Sequence, residues 1–273
     1  MSMVTGAAET IAFVNHKGGI GKTTTTLSLG AILAARGRRV LMVDLDPQAN
    51  LTISAGLEPD DLPETVYTLM VRFVRDYALP DLAAAVRPVR PGLDLLPASI
   101  DLAAAEREFI TAKRADYILQ RLLEPATTAY DLILVDCPPS LGFLTVNALT
   151  AATTAIIPLT PEFLPARGLA KLLDAVADVR NSGLNPALTV SGVIFTMVRP
   201  GLKHAAAVTA SVRDYLGDEV PLLGEVKRST RAAEATEAGV SIIEYDPRGD
   251  VAQAYTAIAD RVEEMRFAAG ARP

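Results

Sequence analysis

The chain is 273 residues long, half of it apolar, with a formal net charge of −6 and a single cysteine. That length accommodates one domain with a large buried core, or two small ones. One cysteine excludes a disulfide framework and a cysteine-rich metal or cluster site and makes a reducing cytoplasm the simplest compartment, while the acidic balance excludes a surface coated in basic charge but not a local basic patch.

The opening MSMVTGAAET has no basic stretch leading into an apolar core, so no signal peptide is expected, and no apolar run approaches the length of a membrane span. Residues 1–10 read as a short tail. IAFV (Ile11–Val14) predicts a buried strand, and Lys22–Arg36 predicts a helix stopped by Gly37. RVLMVD (Arg39–Asp44) is a second strand. The stretch from Leu57 to Val89, with scattered prolines and acids, is the least regular and reads as an insertion. LDLLP (Leu93–Pro97) is a third strand, Asp101–Ile110 a helix, and DLILVD (Asp131–Asp136) a fourth strand ended by Pro138 and Pro139. TTAIIPL (Thr153–Leu159) and LTVSGVIFTM (Leu188–Met197) add two strands, and Ala166–Arg180, Ala205–Leu216 and Asp250–Met265 add helices. Continuous apolar strands alternating with helices predict an α/β fold: a mostly parallel, twisted central sheet with helices on both faces, in a single domain over residues 11–268 with a tail at 269–273. Ligands of such folds sit at the carboxyl ends of the strands, where the distinctive residues here fall.

FVNHKGGIGKTTTT joins the first strand to the first helix. Its ending, Gly21-Lys22-Thr23, is that of the phosphate-binding loop G-x-x-x-x-G-K-[ST], in the strand-to-helix context the motif requires, with His16 in place of the first glycine. Gly18, Gly19 and Gly21 let the backbone turn sharply, so that N–H groups of the stretch from Gly18 through Ile20 to Thr24 can face phosphate oxygens at a helix N-terminus. Lys22 is expected on the β- and γ-phosphates and Thr23 on Mg²⁺, with Asp136 at the end of a buried strand as a further Mg²⁺ holder. The alternative for each acid is a cap on a strand end or turn, which suits Asp46 better than Asp44 or Asp136. Cys137, between Asp136 and two prolines, reads as a small packed residue. His16 beside the loop and His204 in a loop are too scattered to make a metal site. Lys17 has no task within the same loop; it is either a solvated surface lysine or directed at the nucleotide of a second subunit.

KGGIGKTT resembles the deviant Walker A motif of the ParA/MinD family of P-loop ATPases. LMVDLDPQAN (Leu41–Asn50) and LILVDCPPSLGFLTVNAL (Leu132–Leu149) are similar to the switch segment and the Walker B strand of its ParA/Soj branch, and RSTRAAEATEAGVSIIEYDP (Arg228–Pro247) to the segment that closes the fold. The resemblance runs from about Ile11 to Met265. It implies that Lys17 reaches across a nucleotide-sandwich homodimer, that Asp44 orients the attacking water, and that the cofactors are ATP and Mg²⁺. It implies nonspecific double-stranded DNA and a ParB-like or other adaptor as partners, in a cytoplasmic, nucleoid-associated protein. Arg228 and Arg231 match the family's R-x-x-R stretch. The arginine of its T-M-x-D-x-R stretch is absent, since TMVRPGL puts Gly201 there, and Arg199 and Lys203 flank the gap. Met197 and Pro247 are the residues expected near adenine. No helix-turn-helix stretch precedes Ile11, so sequence-specific operator binding is not expected.

Two other branches compete. A MinD-like membrane ATPase ends in a basic amphipathic helix, which RVEEMRFAAGARP does not supply. A bridging cluster, as in the nitrogenase iron protein, needs more ligands than Cys137. A small-molecule synthetase on the same fold stays open.

Overall fold

The computed structural model describes residues 7–161, 165–199, 203–217 and 220–270, with side chains for all of these except 165–167, 203–207 and 266–270. From the amino end, β1 (Glu9–Phe13) leads through the glycine-rich loop into α1 (Lys22–Ala35), followed by β2 (Val40–Asp44) and the short α2 (Asn50–Ser54). Next come α3 (Val66–Asp76), β3 (Arg87–Arg90), β4 (Leu93–Leu96), α4 (Ala105–Phe109), α5 (Ile118–Leu123) and α6 (Ala126–Ala129). The second half holds β5 (Leu132–Asp136), α7 (Phe143–Ala151), β6 (Thr154–Leu159), α8 (Pro165–Asn181), β7 (Thr189–Val198) and α9 (Lys203–Leu216). It closes with β8 (Leu222–Lys227), α10 (Thr230–Glu237), α11 (Ile242–Tyr245) and α12 (Asp250–Gly270).

One sheet of eight strands among the described residues runs β3-β4-β2-β5-β1-β6-β7-β8. Each neighbouring pair is parallel except the edge pair β3–β4. β2, β5 and β6 are buried along their whole length, as strands covered on both faces must be. Successive side chains feed two separate cores. Ala12, Val14, Leu41, Val43, Ile133 and Val135 pack on one face with residues of α3, α5, α7 and α8. Ile11, Phe13, Val40, Met42, Leu132 and Leu134 pack on the other with residues of α1 and α12.

The six predicted strands are present within a few residues of their expected bounds, and the α/β architecture with a mostly parallel sheet is as expected. The two edges were missed. β3 is RPVR and β8 is LLGEVK, broken by Gly224, Glu225 and Lys227. Edge strands are not buried on both sides and carry charge and proline, so no apolar run marks them. Leu57–Val89 is a less irregular insertion than expected. It contains α3, whose Val66, Leu69 and Met70 are buried at i, i+3 and i+4 and whose entry is held by the Thr65 N–H donating to Thr68 Oγ1 at 3.0 Å. His204, expected in a loop, lies in the first turn of α9. The helix expected at Asp101–Ile110 is a tight 3₁₀ turn over Ile100–Ala104 continued by α4.

The topology brings the strand ends that matter side by side. Asp44, the last residue of β2, and Asp136, the last of β5, are register partners, and Asp136 also pairs with Phe13 at the end of β1.

Candidate phosphate and metal site

The loop after β1 is pinned at both ends. Asn15 donates its Nδ2 to the Pro158 carbonyl at 2.7 Å, and its Oδ1 accepts the Lys17 N–H at 3.1 Å. Further on, the Ile20 carbonyl accepts the Thr196 hydroxyl at 2.6 Å. Neighbouring strands β6 and β7 thus hold the loop from below. Between these anchors His16, Lys17, Gly18 and Gly19 are exposed, while the Ile20 side chain is buried. Gly19 and Gly21 have φ of 67° and 85°, a left-handed conformation that glycine adopts without strain. A Cβ on Gly19 would meet nothing, so the space over the loop is open.

Lys22 begins α1. Its residue is only 6% exposed, and Nζ donates to the Lys17 carbonyl at 3.3 Å, across the mouth of the loop. Thr23 follows, its hydroxyl 2.6 Å from Asp136 Oδ2. Thr24 is half-buried, and its carbonyl accepts the Ser28 hydroxyl at 2.6 Å. Asp136 Oδ1 is buried and accepts no hydrogen bond from the described residues. Burial pushes the Asp136 carboxyl up to about 8, and the neighbouring Asp44 charge adds to this against the Thr23 hydrogen bond and the Lys22 charge.

Asp44 is fully buried. Its Oδ2 accepts the Thr52 N–H at 2.8 Å and the Thr52 hydroxyl at 2.7 Å, and its Oδ1 accepts the Asp46 N–H at 3.1 Å. Burial raises this carboxyl to about 6, with the Thr52 hydrogen bonds opposing the shift. Asp46 accepts the Gln48 N–H at 3.0 Å, the turn-shaping role expected of it. Cys137 is buried and its thiol is pushed up by burial, as befits a packed residue.

These residues fit a magnesium nucleotide. Two buried carboxylates side by side, one with an orphaned oxygen, have only Lys22 as an offsetting charge among the described residues. A hard divalent cation with oxygen ligands would supply the rest, with Thr23 and Asp136 as holders. The left-handed glycines and the start of α1 give backbone N–H groups to phosphate.

Of the residues expected at DNA, Arg199 and Arg228 lie together at one end of the sheet. The Arg228 N–H donates to the Val198 carbonyl at 3.0 Å, so Arg199 and Arg228 leave adjacent strands together, both exposed. Arg231 stands in the first turn of α10 with its Nε 3.4 Å from the Asp246 carboxylate. The side chain of Lys203 lies outside the described residues. Met197 (40% exposed, φ 53°) is two residues before Arg199, and the exposed Pro247 follows Asp246. The residues expected at adenine therefore share their chain segments with the basic ones.

Asn15, Thr52 and Thr196 were missed by the sequence reading. Thr196 had a signal, a buried hydroxyl residue within the apolar run VIFTM. Thr52 had none, since its partner Asp44 is eight residues earlier across a turn.

Residues 8–190 match the protein family described as an AAA domain. The chain is 41% identical over 252 residues to the sporulation initiation inhibitor protein Soj of Bacillus subtilis, covering 92% of this chain and 97% of that protein. It is 39% identical over 254 residues to the chromosome partitioning protein ParA of Caulobacter vibrioides, covering 92% of each. Among solved structures, cobyrinic acid a,c-diamide synthase from Mycobacterium smegmatis with bound ATP analogue and magnesium superposes with a TM-score of 0.83 at 36% identity, covering 96% of each chain. Identity at this level over nearly the whole length of Soj and ParA places the protein in the family: it belongs to the ParA/Soj-type partition ATPases of the ParA/MinD deviant Walker A P-loop group.

Proposed function

We propose that the protein binds ATP with Mg²⁺, dimerises around the nucleotide and in that state binds double-stranded DNA without sequence preference. Hydrolysis, stimulated by a ParB-like or other adaptor, would then drive partition of a chromosome or plasmid or positioning of another large cargo in the nucleoid region of the cytoplasm. The observation that carries the reading is the orphaned Asp136 oxygen beside the Thr23 hydroxyl at the mouth of the glycine loop.

The bound nucleotide supplies the phosphoryl group transferred to water, and Mg²⁺ offsets its charge. Gly18, Gly19, Ile20, Gly21 and Thr24 would hold phosphate oxygens through backbone N–H groups and Lys22 through its ammonium, while Thr23 and Asp136 hold the metal. Asp44 orients the attacking water. Lys17, exposed on the loop, reaches the phosphates of the second subunit, and Met197 and Pro247 border the base. Arg199, Lys203, Arg228 and Arg231 form the DNA surface. Its support is the shared end of β7, β8 and α10, which a dimer would double.

A second reading, an ATP-dependent synthase acting on a small acid, is favoured by the likeness to cobyrinic acid a,c-diamide synthase. One set of measurements separates the two: ATP turnover with and without Mg²⁺, in the presence of two unrelated duplexes or of cobyrinic acid with an ammonia donor, together with DNA binding in ADP and in a slowly hydrolysed ATP analogue. The partition reading expects DNA binding only with the analogue, on both duplexes alike. Turnover that responds to cobyrinic acid and not to DNA rejects it.

A further inference from the structure

We propose that Asn15 is a positioning residue for Lys17: it fixes the front half of the glycine loop for the second subunit's nucleotide, while Thr196 fixes the rear half for the subunit's own. The proposal rests on the reading of Lys17 as the residue that reaches the second subunit's phosphates.

β1 leaves the sheet at a defined point. The Val14 N–H donates to the Ile156 carbonyl of β6 at 3.1 Å. Every second residue of a strand faces the same neighbour, so the next β6 carbonyl on that side is that of Pro158. Pro158 has no N–H to carry the ladder on. Its carbonyl takes a side-chain donor, Asn15 Nδ2, at 2.7 Å. Asn15 Oδ1 in turn accepts the Lys17 N–H at 3.1 Å. Asn15 is only 5% exposed, and its two partners settle which way the amide faces, donor to the carbonyl and acceptor to the N–H. One buried side chain thus ties the exposed Lys17 to the sheet.

The rear half has its own anchor. Thr196 of β7, also buried, donates its hydroxyl to the Ile20 carbonyl at 2.6 Å. Gly21 follows at φ 85°, and then the start of α1, whose first N–H groups a helix leaves without an internal partner. These face the subunit's own phosphates. The Lys17 carbonyl is held from this half, by Lys22 Nζ at 3.3 Å. A nucleotide draws that ammonium to its phosphates and releases the carbonyl. Asn15 keeps its hold on the N–H side, so Lys17 stays ordered in the state that has to dimerise.

The test compares the parent with Asn15→Ala and Thr196→Val. Affinity for a fluorescent ADP analogue reads each subunit's own site. Sedimentation velocity in a saturating, slowly hydrolysed ATP analogue reads dimerisation, and melting temperature reads folding. Asn15→Ala is expected to bind the ADP analogue within about twofold of the parent, because the rear anchor is intact. Ordering one freed backbone residue costs roughly 5- to 30-fold in an equilibrium constant, and a two-fold dimer orders two. Its dimerisation should therefore weaken at least about tenfold. Thr196→Val should show the reverse, with affinity for the ADP analogue about 2- to 10-fold lower, the range of one hydrogen bond, and parental dimerisation at saturation. If Asn15→Ala does not fold, Asn15→Ser, too short to bridge both partners, takes its place with the same expectations. Parental dimerisation in Asn15→Ala overturns the proposal, as does a loss of ADP-analogue affinity in that variant that matches its loss of dimer, or parental affinity in Thr196→Val. A parent that stays monomeric in the ATP analogue, or a Lys17→Ala variant that dimerises, overturns the role of Lys17 in trans, a result distinct from parental dimerisation in Asn15→Ala alone.

Discussion

The backbones of Gly56 and Gly239 touch: a Cβ on Gly239 would lie 2.9 Å from the Gly56 Cα, and one on Gly56 would lie 3.0 Å from the Gly239 carbonyl oxygen. Both residues have positive φ, 87° and 65°. Gly56 lies just past α2, the helix of Thr52, and Gly239 just past α10, the helix of Arg231, so the contact joins the switch-acid side of the site to the basic end of the sheet. Gly239→Ala should destabilise the protein by about 1–3 kcal/mol, because the new methyl group meets backbone and the left-handed conformation strains alanine. Urea unfolding with a parental m-value and a lower midpoint is the expected result. An unchanged midpoint would mean the two turns separate at no cost.

The two lysines of the loop should fail differently. Lys22→Ala removes a buried ammonium at the loop mouth and should weaken ATP binding at least tenfold, the loss expected for a charge-assisted contact of about 1.5–3 kcal/mol. Lys17→Ala, at an exposed position, should leave nucleotide binding by the monomer largely intact and prevent the ATP-dependent dimer. Sizing with a slowly hydrolysed analogue reads the second effect, and a variant of Lys17 that dimerises normally removes the role in trans.

Stability without nucleotide or metal should fall with rising pH on account of Asp136. Its folded carboxyl is pushed up to about 8, above its unfolded value near 3.9. The stability it contributes is therefore fully present below about pH 4 and is lost as pH rises through about 8, since the folded state binds the proton more tightly than the unfolded one. Asp44, raised to about 6, acts in the same direction, so the comparison must be with a variant. In chelator, the melting temperature of Asp136→Asn should decline less between pH 5 and 8 than that of the parent. Mg²⁺ at pH 8 should raise the parent alone. Parallel pH curves for the two proteins would contradict the charge deficit at this site.

Arg231→Glu should weaken DNA binding in the ATP state while leaving ATP affinity unchanged. Its partner Asp246 lies 3.4 Å away on the surface, so loss of the pair affects stability by no more than about 1 kcal/mol. Each lost phosphate contact reduces the slope of log affinity against log salt by roughly 0.9, and a dimer loses two. A salt titration on two unrelated duplexes should show equal weakening on both. Equal binding by parent and variant would take Arg231 off the DNA surface.

The sequence by itself determined the architecture and the phosphate loop. Both rest on local signals: apolar runs such as VLMVD and LILVD, buried on both faces, and glycines fixed in spacing before Lys22 and Thr23. It also placed Asp44 and Asp136 at strand ends. Only the tertiary structure made them neighbours, by setting β2 directly against β5 although some ninety residues separate them. The same holds for the groups that hold the site in shape. Thr196 reaches Ile20 across 176 residues, and Asn15 reaches Pro158 across 143. Thr52 finds Asp44 through a turn made by a left-handed alanine that no residue preference announces. The edge strands β3 and β8 stayed hidden for a related reason. A strand at an edge takes its conformation from hydrogen bonds to a neighbour, and its own side chains, half in solvent, need not repeat in any pattern.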